Sequence, residues 1–132
     1  MEEFEGNTFS IDEANALIPD VAGRMRRLGE LQVEVAAGAA RAKRRSRLNG
    51  HGSGLDPSVS EEIAGLLGWL EEKGIQVRGI SPPLVDFPLE SSGGEILLCW
   101  TEGEDEIGFF HTPHDGFAGR RPIEELGLEA DD

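Results

Sequence analysis

The chain has 132 residues, 38% hydrophobic and 29% charged, a balance that excludes a disordered polymer and fits one globular domain. Its net charge of −14 counts against general binding to nucleic acid or anionic membranes. No apolar run approaches the roughly 20 residues that span a bilayer. The acidic opening MEEFEGN lacks the order of a signal peptide, and a lone cysteine, Cys99, excludes an intramolecular disulfide. A cytoplasmic location is the resulting expectation.

The first element is a helix opening at FSIDEANALIP. Ser10 and Glu13 have capping-box spacing, each side chain placed to satisfy the other's backbone N–H. Phe9 stands where a hydrophobic staple residue belongs. Apolar positions then recur in steps of three and four at Ile11, Ala14, Ile18, Val21, Met25, Leu28, Val35, Ala39 and Ala42, with Gln32 in the one polar slot. This pattern predicts a coiled-coil-like seam reaching about Leu48. Pro19 removes one intrahelical hydrogen bond, so a kink or a split is expected there. The glycine-rich stretch NGHGSGLDP reads as a connector. A second helix follows, capped either by Asp56 with Pro57 first in the helix or by Ser58 with Glu61. Val59, Ile63, Leu66, Leu67 and Leu70 mark its buried face, and Gly74 stops it. The two helices predict an antiparallel hairpin over about 10–74.

After Gly74 the period shortens, and a β region is expected over about 75–123. IQVRGI is a short strand. SPPLVDFP, stiffened by Pro82, Pro83 and Pro88, suits an edge or an extended crossing segment. EILLCWT and EIGFFHT, joined by the acidic EGEDE, predict an antiparallel strand pair. If Glu102 pairs with Asp105, then Trp100 faces Ile107, Leu98 faces Phe109 and Ile96 faces His111. Leu97, Cys99 and Phe110 then share the other face. Both faces are apolar, so the sheet needs two covers. The helices supply one, and either a second subunit or the C-terminal segment supplies the other. The acidic stretch 124–132 reads as a fraying tail.

FSIDEANALIP, LVDFP, LLCW, and FFH leading into GFAGRRPI together resemble small bacterial proteins classed as domain of unknown function 2203, along nearly the whole chain. The resemblance implies a helical region followed by a small β region, and it brings no activity with it. It places Asp86, Cys99, Trp100, His111, Gly116, Phe117, Gly119 and Arg120 on the matching positions. His111 belongs to the pattern; His114 and the basic run do not.

Three chemistries compete with plain structure. Cys99, His111 and His114, with Asp86 or Asp115, are residue types that ligate zinc or iron. Residues three apart on a strand point to opposite faces, so His111 and His114 need a turn between them, which Pro113 permits. Cys99 and His111 fall on opposite faces in the register above, and one extra residue would bring them together. The plain alternative is a small core cysteine and a hydrogen-bonded histidine at a strand end. A small-anion site would use backbone N–H groups exposed by Gly116 and Gly119 with the Arg120 and Arg121 guanidiniums. The alternative there is a glycine-shaped turn in which Phe117 plugs the core and Arg120 pairs with a carboxylate such as Asp86. A Cys99–His111 thiolate pair is the catalytic option, but the LLCW setting argues for an inert thiol. No G-x-S-x-G, H-E-x-x-H or kinase signature is present.

RAKRRSR, with Arg41, Lys43, Arg44, Arg45 and Arg47, complements the dipole at a helix C-terminus. RNA contact is its functional reading, weakened by the lack of interleaved aromatics. The sequence therefore predicts an α+β protein: a long antiparallel helical hairpin, then a small, mostly antiparallel sheet. Its preferred role is a non-enzymatic cytoplasmic interaction or scaffold protein, homodimeric and with an unknown protein partner. The second reading is a metal- or small-anion-binding protein, taking zinc or iron, with its site around His111 and Arg120.

Overall fold

The computed structural model of the chain describes residues 8–49, 56–89 and 94–126; the side chains of 46–49 and of Phe117 are not among those described. Helix α1 runs Ile11–Asn49 and helix α2 runs Pro57–Lys73. Strands β1 (Gln76–Ile80), β2 (Pro83–Leu89), β3 (Ile96–Thr101), β4 (Phe109–His111) and β5 (Arg121–Pro122) follow, with a 3-10 turn on each side of β5. The fold is α+β. The five strands form one sheet in the order β1-β2-β3-β4-β5, and every neighbouring pair is antiparallel.

Helix α1 begins as its capping box dictates. Ser10 N–H donates to Glu13 Oε1 at 2.9 Å, and Glu13 N–H donates to Ser10 Oγ at 3.0 Å. The helix passes through Pro19 as a single element, so the expected split does not occur. One missing hydrogen bond costs less than the burial on both sides of it, at Ala14, Ile18, Val21, Met25, Leu28 and Leu31. Of the two caps proposed for α2, Asp56 is the one used: its carboxylate accepts from Ser58 N–H, and Pro57 opens the helix. Gly74 closes α2 at φ 87°, a conformation that favours glycine.

The helices pack antiparallel. Arg27 Nε donates to Glu62 Oε2 at 2.7 Å, and the Arg24 guanidinium lies 3.8 Å from the Trp69 ring centre. Because α2 starts five residues before Glu62, α1 beyond about Gln32 runs past the start of α2. Burial follows that geometry. Past Leu31, Val35 and Ala42 are half-buried, Ala39 is exposed, and Val33 is 69% exposed, while Gly38 is buried. Arg41, Lys43, Arg44 and Arg45 are exposed. Arg47 and the connector at 50–55 lie outside the described side chains and residues, as does the acidic tail beyond 126.

The PPLVDFP stretch forms an interior strand rather than an edge: β2 pairs with β1 on one side and with β3 over six positions on the other. Its prolines are tolerated for a positional reason. Pro83 is the first residue of the strand, and Pro88 lies beyond the end of β1, which begins opposite Asp86. The Pro88 carbonyl points to that open flank, where it accepts the Phe9 N–H at 2.8 Å. The missing proline N–H lies on the same flank, so no ladder bond is lost.

The β3–β4 register differs by one residue from the sequence expectation. Leu97 pairs with His111, Leu98 with Phe110 and Cys99 with Phe109. The connection takes the extra residue because Glu104 folds back on β3. Its carbonyl accepts from Trp100 Nε1 at 2.7 Å, and its carboxylate accepts from Thr101 N–H at 3.1 Å. Ile107 is buried off the ladder, its N–H donated to Asn15 Oδ1 on α1. A one-residue shift exchanges the faces of a strand. Val85, Phe87, Leu98, Trp100 and Phe110 therefore join the core beneath the helices. Asp86, Leu97, Cys99, Phe109 and His111 occupy the opposite face.

That second face is covered by the chain's own C-terminal segment. The Arg120 guanidinium lies 4.0 Å from the Phe109 ring centre, and Pro113 and Gly116 approach Asp86 and His111. After β5, Ile123 and Leu126 return to pack against the helix-side core.

Candidate functional site

Ladder geometry brings three chemically able side chains together. Asp86 pairs with Cys99 across β2 and β3, and His111 sits two residues from Phe109, the partner of Cys99 on β4. The period of two puts all three on the covered face. Their nearest ligand-type atoms, an Asp86 carboxylate oxygen, Cys99 Sγ and a His111 ring nitrogen, lie within 4.8 Å of one another, and all three residues are buried.

The polar atoms of the group are well partnered. Asp86 Oδ1 is 3.0 Å from His111 Nε2, and Asp86 Oδ2 accepts from Arg78 Nε at 2.9 Å. The other ring nitrogen, Nδ1, is 2.8 Å from the Thr112 carbonyl oxygen. A carbonyl only accepts, so Nδ1 carries the proton and donates it. Nε2 is thereby directed at Asp86 and Cys99. Burial pushes the Cys99 thiol up to about 12; the nearby Arg120 charge opposes the rise, and Asp86 and Glu104 add to it. The thiol is therefore an S–H at neutral pH.

This has a consequence for stability. The unfolded thiol ionises from about pH 9, whereas the folded one holds its proton to about 12. The folded state loses about 1.4 kcal/mol per pH unit across that window, and the contribution is intact below it. Comparing unfolding free energies of the wild type and Cys99→Ala from pH 8 to 10.5 checks this. The wild type should fall more steeply above about pH 9, and parallel curves would contradict it.

Beside the group lies a cavity of about 290 Å³, lined by Arg78, Leu84, Asp86, His111, Pro113 and Gly116. Arg78 was not among the residues singled out from the sequence. Its signal was indirect: an aspartate inside the apolar run LVDFP needs a cation, and the adjacent strand carries one.

The other expected residues divide clearly. His114 is exposed and lies outside the Asp86–Cys99–His111 group, because the chain turns after Thr112 and carries it away from the sheet. Arg120 pairs with Glu104 rather than Asp86, and it stacks on Phe109 instead of lining the cavity. Gly116 has φ 66° and lines the cavity. Gly119 donates its N–H to the Gly116 carbonyl at 3.1 Å, so that donor is already used within the turn. Its importance is spatial: a Cβ at Gly119 would lie 2.7 Å from Asp115 Cβ. Gly119→Ala should cost about 1–3 kcal/mol, read from thermal or urea unfolding. A loss below about 0.5 kcal/mol would show that the turn relaxes freely. The plug expected of Phe117 concerns a side chain outside those described.

Fold and site together define a small α+β protein in which two helices back one face of an antiparallel meander, and a buried Asp–Cys–His group occupies the other. The chain belongs to the family described as "Uncharacterized conserved protein (DUF2203)", whose model matches residues 7–123. No curated protein and no solved structure matches it. Among the described residues, no helix is long and apolar enough to cross a membrane.

Proposed function

We propose that the chain is a metal-binding protein whose ion is held by Asp86, Cys99 and His111. The observation that carries this reading is the convergence of three different ligand atoms, within 4.8 Å of one another, from three adjacent buried strands. Thiolate, imidazole and carboxylate together suit zinc or ferrous iron. Ligand atoms around tetrahedral zinc stand roughly 3.3–3.8 Å apart, given bond lengths of about 2.0–2.3 Å, so a shift of about 1 Å closes the group on an ion. The outer contacts already have the form such a site needs. His111 Nδ1 is fixed by a backbone carbonyl and Asp86 Oδ2 by Arg78, which leaves Nε2 and Oδ1 for the ion. Without an ion, those two atoms lie 3.0 Å apart, a contact that is favourable only with a proton between them. We place the protein in the cytoplasm, where a lone thiol stays reduced.

Elemental analysis of protein purified without an affinity tag tests the proposal. About one equivalent of zinc or iron, or uptake of one on addition, is expected. Less than about a tenth of an equivalent with no uptake overturns it.

Self-association is a second reading, supported by the distal part of α1, where Val33 is 69% exposed beside the exposed Ala36, Ala39 and Ala40. A homodimer through this stretch places the basic residues Arg41 to Arg45 near acidic surface of the other copy, in keeping with a net charge of −14. A monomer at micromolar concentration by light scattering contradicts it.

A further inference from the structure

We propose that the cavity beside Arg78 and His111 binds a short-chain carboxylate, held by the Arg78 guanidinium with one oxygen directed at the ion's open coordination position. This rests on the metal reading above, and it names the class of molecule that site would serve.

Three observations carry it. The first is coordination number. Asp86, Cys99 and His111 supply three protein ligands, and a tetrahedral ion keeps its fourth position for water or an exogenous group. Asp86 and His111 both line the cavity, so the fourth position opens into it. The second is charge. A divalent ion balanced by one carboxylate and one thiolate is neutral, and Arg78 adds one positive charge, so a monoanion completes the balance. The third is the donor inventory of Arg78. Nε donates to Asp86, and Nη2 contacts Gln76 Oε1 at 2.5 Å. Nη1 has no hydrogen-bond partner among the described residues, and the side chain is 48% exposed at the cavity mouth.

The span is also right for a carboxylate. The carboxylate of Asp86 already bridges Arg78 Nε and His111 Nε2, with Oδ2 at 2.9 Å and Oδ1 at 3.0 Å. A ligand carboxylate in the cavity meets Arg78 from the side that Asp86 leaves open. Arg78 offers it the two N–H groups of Nη1. Size bounds the rest of the molecule. At about 290 Å³, the cavity stands at the small end of ligand pockets, which suits a few carbons rather than a nucleotide or a peptide. Leu84 and Pro113 supply an apolar wall for a short chain.

The test uses the full chain loaded with cobalt(II), whose visible absorption reports changes in its ligands. Formate, acetate and lactate are titrated in turn, with chloride and phosphate as inorganic comparators. The expected result is a saturable spectral change with at least one carboxylate. In Arg78→Met, measured on protein loaded with one equivalent of cobalt by raising the free metal, the carboxylate affinity should fall at least tenfold. Arg78→Lys should fall between the two, because it keeps the charge and loses the fork. A fully loaded wild type that responds to no carboxylate, or only to the inorganic anions, overturns the proposal. So does an Arg78→Met protein that binds as tightly as the wild type. If the protein takes up no cobalt, the metal reading fails separately, and calorimetry on the metal-free protein decides this one. Carboxylate binding that depends on Arg78 sustains the anion site, and no heat of binding overturns it.

Discussion

Asp86→Ala is expected to destabilise the protein by about 1–3 kcal/mol, the cost of leaving the buried His111 without its polar partner while the half-exposed Arg78 turns to water. Asp86 is 1% exposed and is the shared partner of Arg78 and His111. Its loss leaves the buried His111 Nε2 without its polar partner and opens a void beneath the C-terminal cover. A domain of this size has only about 5–15 kcal/mol of stability in total, so such a loss is a sizeable fraction of it. Asp86→Asn keeps the shape and one acceptor oxygen for Arg78 but loses the charge, and it should fall between wild type and alanine. Urea unfolding at 25 °C measures all three. A loss below about 1 kcal/mol for the alanine variant would mean that Arg78 and His111 find water or other partners at once.

The second large effect is on zinc affinity as pH changes. The Cys99 thiol, pushed up to about 12 by burial, must release its proton to ligate an ion. Each unit of falling pH therefore weakens binding about tenfold through Cys99 alone. The step from pH 8 to pH 6 costs at least about a hundredfold, or about 2.7 kcal/mol. Competition against a chromophoric chelator across that range checks it. Cys99→Ser should bind zinc far more weakly and remain folded, since it changes one buried atom. Equal affinity for wild type and Cys99→Ser would remove the thiolate from the site. A flat pH profile in the wild type would do the same.

The helices and the antiparallel sheet were legible in the sequence because their determinants are local. The Ser10–Glu13 box, the Asp56–Pro57 start and the Gly74 stop each depend on residues a few positions apart. The strands were legible as short apolar runs bounded by turn residues, such as EILLCWT and EIGFFHT around EGEDE. The site was only half legible, because it turns on a register offset of one residue. That offset comes from the Glu104 fold-back and from the anchoring of Ile107 by Asn15. Asn15 and Ile107 are 92 positions apart, and no short-range pattern encodes their meeting. The same offset moved Cys99 and His111 from opposite faces to one. The turn after Thr112, not the offset, left His114 outside. Arg120 was drawn toward Asp86 by charge logic alone. Arg78 reaches that aspartate first because β1 and β2 are direct neighbours, whereas Arg120 lies across the sheet on the far side of β4.

The two ends of the sheet carry a further meaning. A bare outer strand is a template on which other chains can polymerise, and long flat ones invite aggregation. Here neither border offers such a template. Strand β1 has five residues and is bent by the irregularity between Val77 and Gly79, and the flank of β2 beyond it is plugged by Phe9. Strand β5 has two residues, one of them the donorless Pro122 and the other the exposed, charged Arg121. Among the described residues, both borders of the meander are short and interrupted, features that work against strand swapping and cross-β stacking.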